Sequence, residues 1–147
     1  LSIDELDQWI TDNRLHLCHV FTVDDLKYLH RGGRVSKTAA IAGSILGIKP
    51  LLHVDNEGHL IPVGKIRGRK QSIEKLVDMM SERMGNWDNS TVAVCHGDCL
   101  SDAEYAADLM RKKLGKKTTV HICYTGAVIG SHSGPGTLAL FFMGDQR

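Results

Sequence analysis

The apolar positions of this 147-residue chain change rhythm several times. Ile3, Leu6 and Ile10 recur at the spacing of one helical face, and Ser2-Ile3-Asp4-Glu5 in front of them is a capping-box pattern. A helix ending near Asn13 is predicted. Leu15 to Phe21 is a short apolar run that suits a strand. Thr22 is placed to cap a second short helix, with Asp24 and Asp25 in its first turn, where carboxylates suit the helix dipole. Gly32-Gly33 stops that helix. Ser36 can cap a third, Lys37 to Leu46, whose small side chains (Ala39, Ala40, Ala42, Gly43, Ser44) let another backbone or a bound chain come close.

Leu51 to Val54 and Leu60 to Ile66 read as two strands, joined by the hairpin turn Asp55-Asn56-Glu57-Gly58. Ile73, Leu76, Val77, Met80 and Met84 restore the helical rhythm, closed by Gly85 and Asn86. Thr91 to His96 has the pattern of a buried strand. Ser101-Asp102-Ala103-Glu104 reads as a second capping box, opening a helix that buries Ala103, Ala106, Ala107, Met110 and Leu114. Thr118 to Tyr124 and Thr137 to Met143 are the remaining strands. Strands and helices alternate beyond about residue 70, which favours parallel crossovers. The expected architecture is α/β, a mixed sheet with helices packed on it and an added β-hairpin.

Composition narrows the function classes. A hydrophobic content of 42% suits one compact core. The net charge of +1 gives no bulk field for nucleic acid or an acidic membrane. Aromatic residues make up only 5% of the chain, too few for a base-stacking platform. The longest glycine-spaced apolar stretch, Ala39 to Ile48, is too short to span a bilayer. No signal peptide is visible, so Cys18, Cys95, Cys99 and Cys123 are expected as reduced thiols and the setting as cytoplasmic. The sequence opens on Leu1 rather than Met, which reads as a cut start.

Four segments carry candidate chemistry. Gly130-Ser131-His132-Ser133-Gly134-Pro135-Gly136-Thr137 reads as a tight turn with His132 at its centre. Its hydroxyls, amides and imidazole can hold a carboxylate or phosphate, or it is a plain strand-leading turn with a surface histidine. Leu29 to Ser36 contains Arg31-Gly32-Gly33-Arg34 just before a helix start, an anion site or a helix stop beside a solvated arginine. Lys65-Ile66-Arg67-Gly68-Arg69-Lys70 is a basic run that either discourages strand pairing or docks an acidic partner or a phosphate-bearing ligand. Cys95-His96-Gly97-Asp98-Cys99 lacks the spacing of a structural zinc site, so no metal is expected there. A Gly-x-Ser-x-Gly elbow and a paired-carboxylate signature are both missing, so a self-sufficient hydrolase is disfavoured.

Taken in order, these segments resemble the DegV family, which includes the fatty-acid-binding subunits of bacterial fatty acid kinase. The resemblance rests on Val23 to Leu29 running into Arg31-Gly32-Gly33-Arg34-Val35-Ser36, then Ile48-Lys49-Pro50-Leu51-Leu52 and its hairpin, Gly64 to Lys70, His96-Gly97-Asp98, and Gly126 to Gly136. Ser133 stands where the family usually has Thr, and Ala127 where it often has Pro.

The resemblance implies that residues 1–147 are the carboxyl-terminal domain of a two-domain protein, with the amino-terminal domain outside this sequence. It also implies a long-chain fatty acid in a tunnel near the domain interface. The carboxylate would lie near His132, with Arg34, Ser133, Gly134 and Thr137 around it and Val128, Ile129 and the 39–48 segment as tunnel walls. Arg67 and Arg69 would serve docking of a fatty acid kinase catalytic subunit, which phosphorylates the bound acid in bacterial phospholipid synthesis. On this reading the chain is a lipid-binding carrier with no cofactor, no nucleic acid and only transient membrane contact. The alternatives are a regulatory domain sensing another carboxylate, and an enzyme using His132 as acid or base.

Overall fold

The structure, a computed structural model, describes residues 1–36, 47–145 and 147. The expected helix Lys37 to Leu46 lies outside the described residues. Those residues form six strands and five helices: α1 (Ile3–Asn13), β1 (Leu17–Thr22), α2 (Lys27–Arg31), β2 (Ile48–Val54), β3 (Leu60–Arg67), α3 (Arg69–Arg83), β4 (Thr91–His96), α4 (Leu100–Leu114), β5 (Thr119–Tyr124), α5 (Ala127–Ser133) and β6 (Leu138–Met143). The strands make one open sheet in the order β3-β2-β1-β6-β4-β5. Only β4 and β5 run parallel, joined by α4 as the crossover. The other neighbouring pairs are antiparallel, β2 and β3 as the expected hairpin.

Alternation along the central strands separates two faces. Cys18, Val20, Leu138, Leu140, Phe142, Val92 and Val94 point to one of them. They pack against Ile73, Leu76, Val77 and Met80 of α3 and Ala103, Ala106 and Met110 of α4. The alanines matter because they let α4 approach both the sheet and α3 closely. On the other face a smaller cluster of Phe21, Val23, Leu26, Leu29 and Leu52 packs α2 against β1 and β2. Towards β4 and β5 this second face carries His19, Phe141, Ala93 and Cys95, all half-buried. His19 meets Phe141 edge-on at 5.0 Å between ring centres, and burial pulls its imidazole below the ordinary value.

Helix α1 has its capping box as expected: the Ser2 amide donates to Glu5 Oε2 at 2.6 Å and the Glu5 amide to Ser2 Oγ at 3.3 Å. It buries none of its residues; Ile3, Leu6, Trp9 and Ile10 are exposed. No helix among the described residues is long and apolar enough to cross a membrane.

Three local expectations need correction. Thr22 does not cap α2; it is the buried last residue of β1, paired with Leu51 and Leu138, and α2 begins after Leu26. Asp25 supports the start of α2 instead, accepting the Lys27 amide at 2.8 Å. Helix α4 starts at Leu100, before Ser101, with Cys99 in the cap position and no side-chain cap, since the Cys99 thiol donates to Thr137 O at 3.3 Å. Gly130 to Ser133, expected within a tight turn, instead belong to helix α5; the sharp reversal falls later, at Gly134 and Gly136.

Candidate functional site

The edge of the sheet where β4 ends and β6 begins gathers most of the sequence-selected residues. His96 is buried and accepts the Cys99 amide on Nδ1 at 3.2 Å, which places its ring proton on Nε2. The next residue, Gly97, is zipped to the start of β6: its amide donates to Thr137 O at 2.8 Å and its carbonyl accepts the Gly136 amide at 2.7 Å. A Cβ at Gly97 would stand 2.9 Å from the Gly134 carbonyl oxygen, so only glycine allows this approach. Asp98 follows in the left-handed region at φ 55°, the one non-glycine there among the described residues.

Helix α2 and its flanks run alongside the 132–136 segment. Their contacts follow a simple rule: residues four apart on the α2 side meet residues two apart on the other. A Cβ on Gly136 would overlap the Asp24 carboxylate, one on Gly134 would overlap the Tyr28 ring, and one on Gly32 would overlap His132 Nδ1. Nothing local in the sequence signals this zipper, because the four-residue spacing of Asp24, Tyr28 and Gly32 does not say what they face. Asp24 is held in turn by Lys49 at 2.7 Å, with Arg69 Nη1 at 3.7 Å.

His132 and Arg34 therefore converge on one residue. His132 occupies the last turn of α5, half-buried, with its ring against Gly32. Arg34 is exposed and donates from Nη1 to the Gly32 carbonyl at 2.5 Å. Gly33, at φ 70°, makes the reversal that brings the Arg34 amide back to Leu29 O at 2.8 Å.

The hydroxyls nearby are engaged differently. Ser131 donates to Val128 O at 2.8 Å, Ser133 to Ile129 O at 2.9 Å and Thr137 to Gly134 O at 2.7 Å. A hydroxyl has a single proton, so in this arrangement each offers an incoming anion only lone pairs. The imidazole of His132 and the guanidinium of Arg34 are the side-chain donors that the two glycine-rich segments bring together. Gly134 supplies the turn at φ 81° and ψ 175°, a backbone region open essentially to glycine alone.

The remaining sequence-selected residues divide. Val128 and Ile129 stand outward on α5, 74% and 61% exposed. Arg67, at the end of β3, is exposed. Arg69, two residues on, is turned inward: Nε bonds Asp102 at 2.8 Å and Nη2 reaches Cys99 Sγ at 3.6 Å. Cys99 in turn donates to Thr137 O at 3.3 Å, so Arg69 is tied to the same edge of the sheet. Among the described residues only Asp55, Glu57 and His59 lie close enough to share a metal ion. Their closeness is that of a hairpin turn, in which Asp55 Oδ1 accepts the Glu57 and His59 amides at 3.0 and 2.8 Å.

Residues 1–145 match the profile of the family described as "Uncharacterised protein, DegV family". The chain belongs to the DegV family. A DegV domain-containing protein of Clostridium perfringens is 47% identical over 146 residues, which cover 99% of this chain and 50% of the relative. The crystal structure of DegV, a fatty acid binding protein from Bacillus subtilis, is 32% identical with a TM-score of 0.73, over 98% of this chain and 50% of that one. A fatty acid binding DegV family protein from Streptococcus agalactiae is 28% identical with a TM-score of 0.82, over 99% and 51%. This DegV chain spans about half the length of the curated relatives it matches. The six-stranded mixed sheet with helices packed on it is thus the fold of one half of these DegV proteins.

Proposed function

We propose that this chain forms one half of a fatty acid site, in which His132 donates to the ligand carboxylate and Arg34 supplies nearby positive charge. The observation that carries the reading is the convergence of both residues on Gly32. Support comes from the names of the Bacillus subtilis and Streptococcus agalactiae structures, both described as fatty acid binding. The energetics suit a long apolar ligand, since each buried methylene contributes about 0.8 kcal/mol. A carboxylate withdrawn from water must then meet donors, because leaving it unpaired is expensive. Ser133, Gly134 and Thr137 hold the turn on which His132 depends. Val128 and Ile129, outward on α5, form tunnel wall together with the remainder of the full-length protein.

The bound acid is then presented to a separate kinase, which phosphorylates its carboxylate; this chain performs no turnover itself. Exposed Arg34 and Arg67 face that partner, with Arg69 bracing the surface from within.

Denaturing mass spectrometry of the purified full-length protein is expected to release a fatty acid, and added oleate to raise the melting temperature of stripped protein. A hydrogen bond to a charged group contributes about 1.5–3 kcal/mol, so His132→Ala should weaken oleate binding about 10- to 100-fold. Arg34→Ala should slow phosphorylation by the kinase more than it weakens binding. If full-length protein yields no lipid and oleate leaves its melting temperature unchanged, the reading fails; stabilisation by a short carboxylate instead would favour the sensor alternative.

A further inference from the structure

We propose that Cys95 and Cys123 form a reversible dithiol–disulfide site on the sheet face opposite α3 and α4. The two are direct partners in the parallel register of β4 and β5. Neighbouring strands lie about 4.8 Å apart, within the Cα separations a disulfide can bridge. Both side chains leave the sheet on the same side, and their Sγ atoms stand 2.7 Å apart, within about 1 Å of bonding distance. Both are free thiols. The backbone ladder fixes the two residues opposite each other, so they meet without any rearrangement of the chain.

The environment assigns the order of reaction. Cys123 is exposed and Cys95 half-buried, so an oxidant in solution meets Cys123 first. Burial, reinforced by the contact with Cys123, pushes the Cys95 thiol up to about 12, so Cys95 is the weaker of the two as first attacker. The other two cysteines do not compete. Cys18 is buried in the main core, and Cys99 is held between Arg69 and the Thr137 carbonyl.

The oxidant is a small-molecule disulfide of the glutathione class. Cys123 loses its proton to solvent and attacks one sulfur of that disulfide, forming a mixed disulfide and expelling one small thiolate. Cys95 then gives up its proton and attacks the Cys123 sulfur. The bond between the two protein sulfurs forms as the mixed disulfide breaks and the second small thiolate leaves. Both leaving thiolates regain protons from water. The protein has lost two electrons and two protons, and the external disulfide has been reduced to two thiols. A thiol of the same class reverses the sequence.

The pair ends a row of side chains, Phe21, Ala139, Cys95 and Cys123, that crosses β1, β6, β4 and β5 on this face. Oxidation would remove two S–H groups from the row and lock the edge strand β5 to β4. The inference stands independently of the fatty acid reading.

The test treats folded full-length protein with oxidised glutathione, then alkylates it in denaturant and maps peptides by mass spectrometry. The expected result is the loss of alkylation at Cys95 and Cys123, with the two peptides linked and the link removed by dithiothreitol. In Cys95→Ser the glutathione adduct should persist on Cys123, because the resolving thiol is gone. Three results would overturn the proposal: both thiols remain alkylated, wild-type protein keeps a stable adduct on Cys123, or the same link forms as readily in protein denatured before oxidation.

Discussion

Gly134 shows how narrowly single residues are specified at the candidate site. Its backbone conformation is open essentially to glycine, and the Tyr28 ring fills the space where a side chain would begin. Gly134→Ala should destabilise the protein by about 2–5 kcal/mol, combining backbone strain with overpacking against Tyr28. Urea denaturation should show a lower midpoint at unchanged slope, and a midpoint equal to wild type would remove the Tyr28 contact from the argument. The sequence marked this residue as important but misplaced the histidine beside it. Gly130 and the β-branched Val128 and Ile129 are poor helix formers, so Gly130 to Ser133 read as part of a turn, and proximity to α2 had no local signature. The contact of His132 with Gly32, a hundred positions earlier in the chain, is legible only in three dimensions.

At the scale of elements, Arg69 joins the first turns of α3 and α4 through Asp102, with side chains only 20% and 30% exposed. Partial shielding from water makes such a pair stronger than the 0–1 kcal/mol typical of exposed ones. A double-mutant cycle with Arg69→Met and Asp102→Ala is expected to give a coupling of about 1–2 kcal/mol in unfolding experiments. A coupling near zero would return Arg69 to the exposed basic run as a residue free for a partner. The predicted capping box at Ser101 is absent because the helix starts one residue earlier, at Leu100, which puts Ser101 inside its first turn. Elements with strong periodicity were legible almost to the residue. Thr91 to His96 matches β4, the hairpin strands were expected without Ile48 to Pro50 and without Arg67, and the buried faces of α3 and α4 agree with the apolar rhythm. What escaped was capping and the ends of short helices, where tertiary contacts outweigh propensity.

The whole molecule has more apolar surface than its main core uses. Ile3, Leu6, Trp9 and Ile10 lie exposed on α1, and Val128 and Ile129 on α5. The chain spans about half of its relatives' length, and surfaces of this kind are where a neighbouring domain or subunit packs. The 147-residue chain alone should bind an apolar dye such as anilinonaphthalene sulfonate several-fold more strongly than the full-length protein, and self-associate in light scattering as its concentration rises. Equal dye binding by both would mean that these side chains stay in water in the complete protein.

The position of β6 has a consequence for synthesis. This strand comes last in the sequence yet lies between β1 and β4 in the sheet. Translation of these residues makes the three antiparallel strands first and the parallel pair later, and no strand joins them until residues 138–143 emerge. Both pieces expose strand edges in the interval, when pairing with another nascent chain is easiest. The sheet is therefore closed by the strand made after all the others of this sheet, in a single late step that unites its two halves.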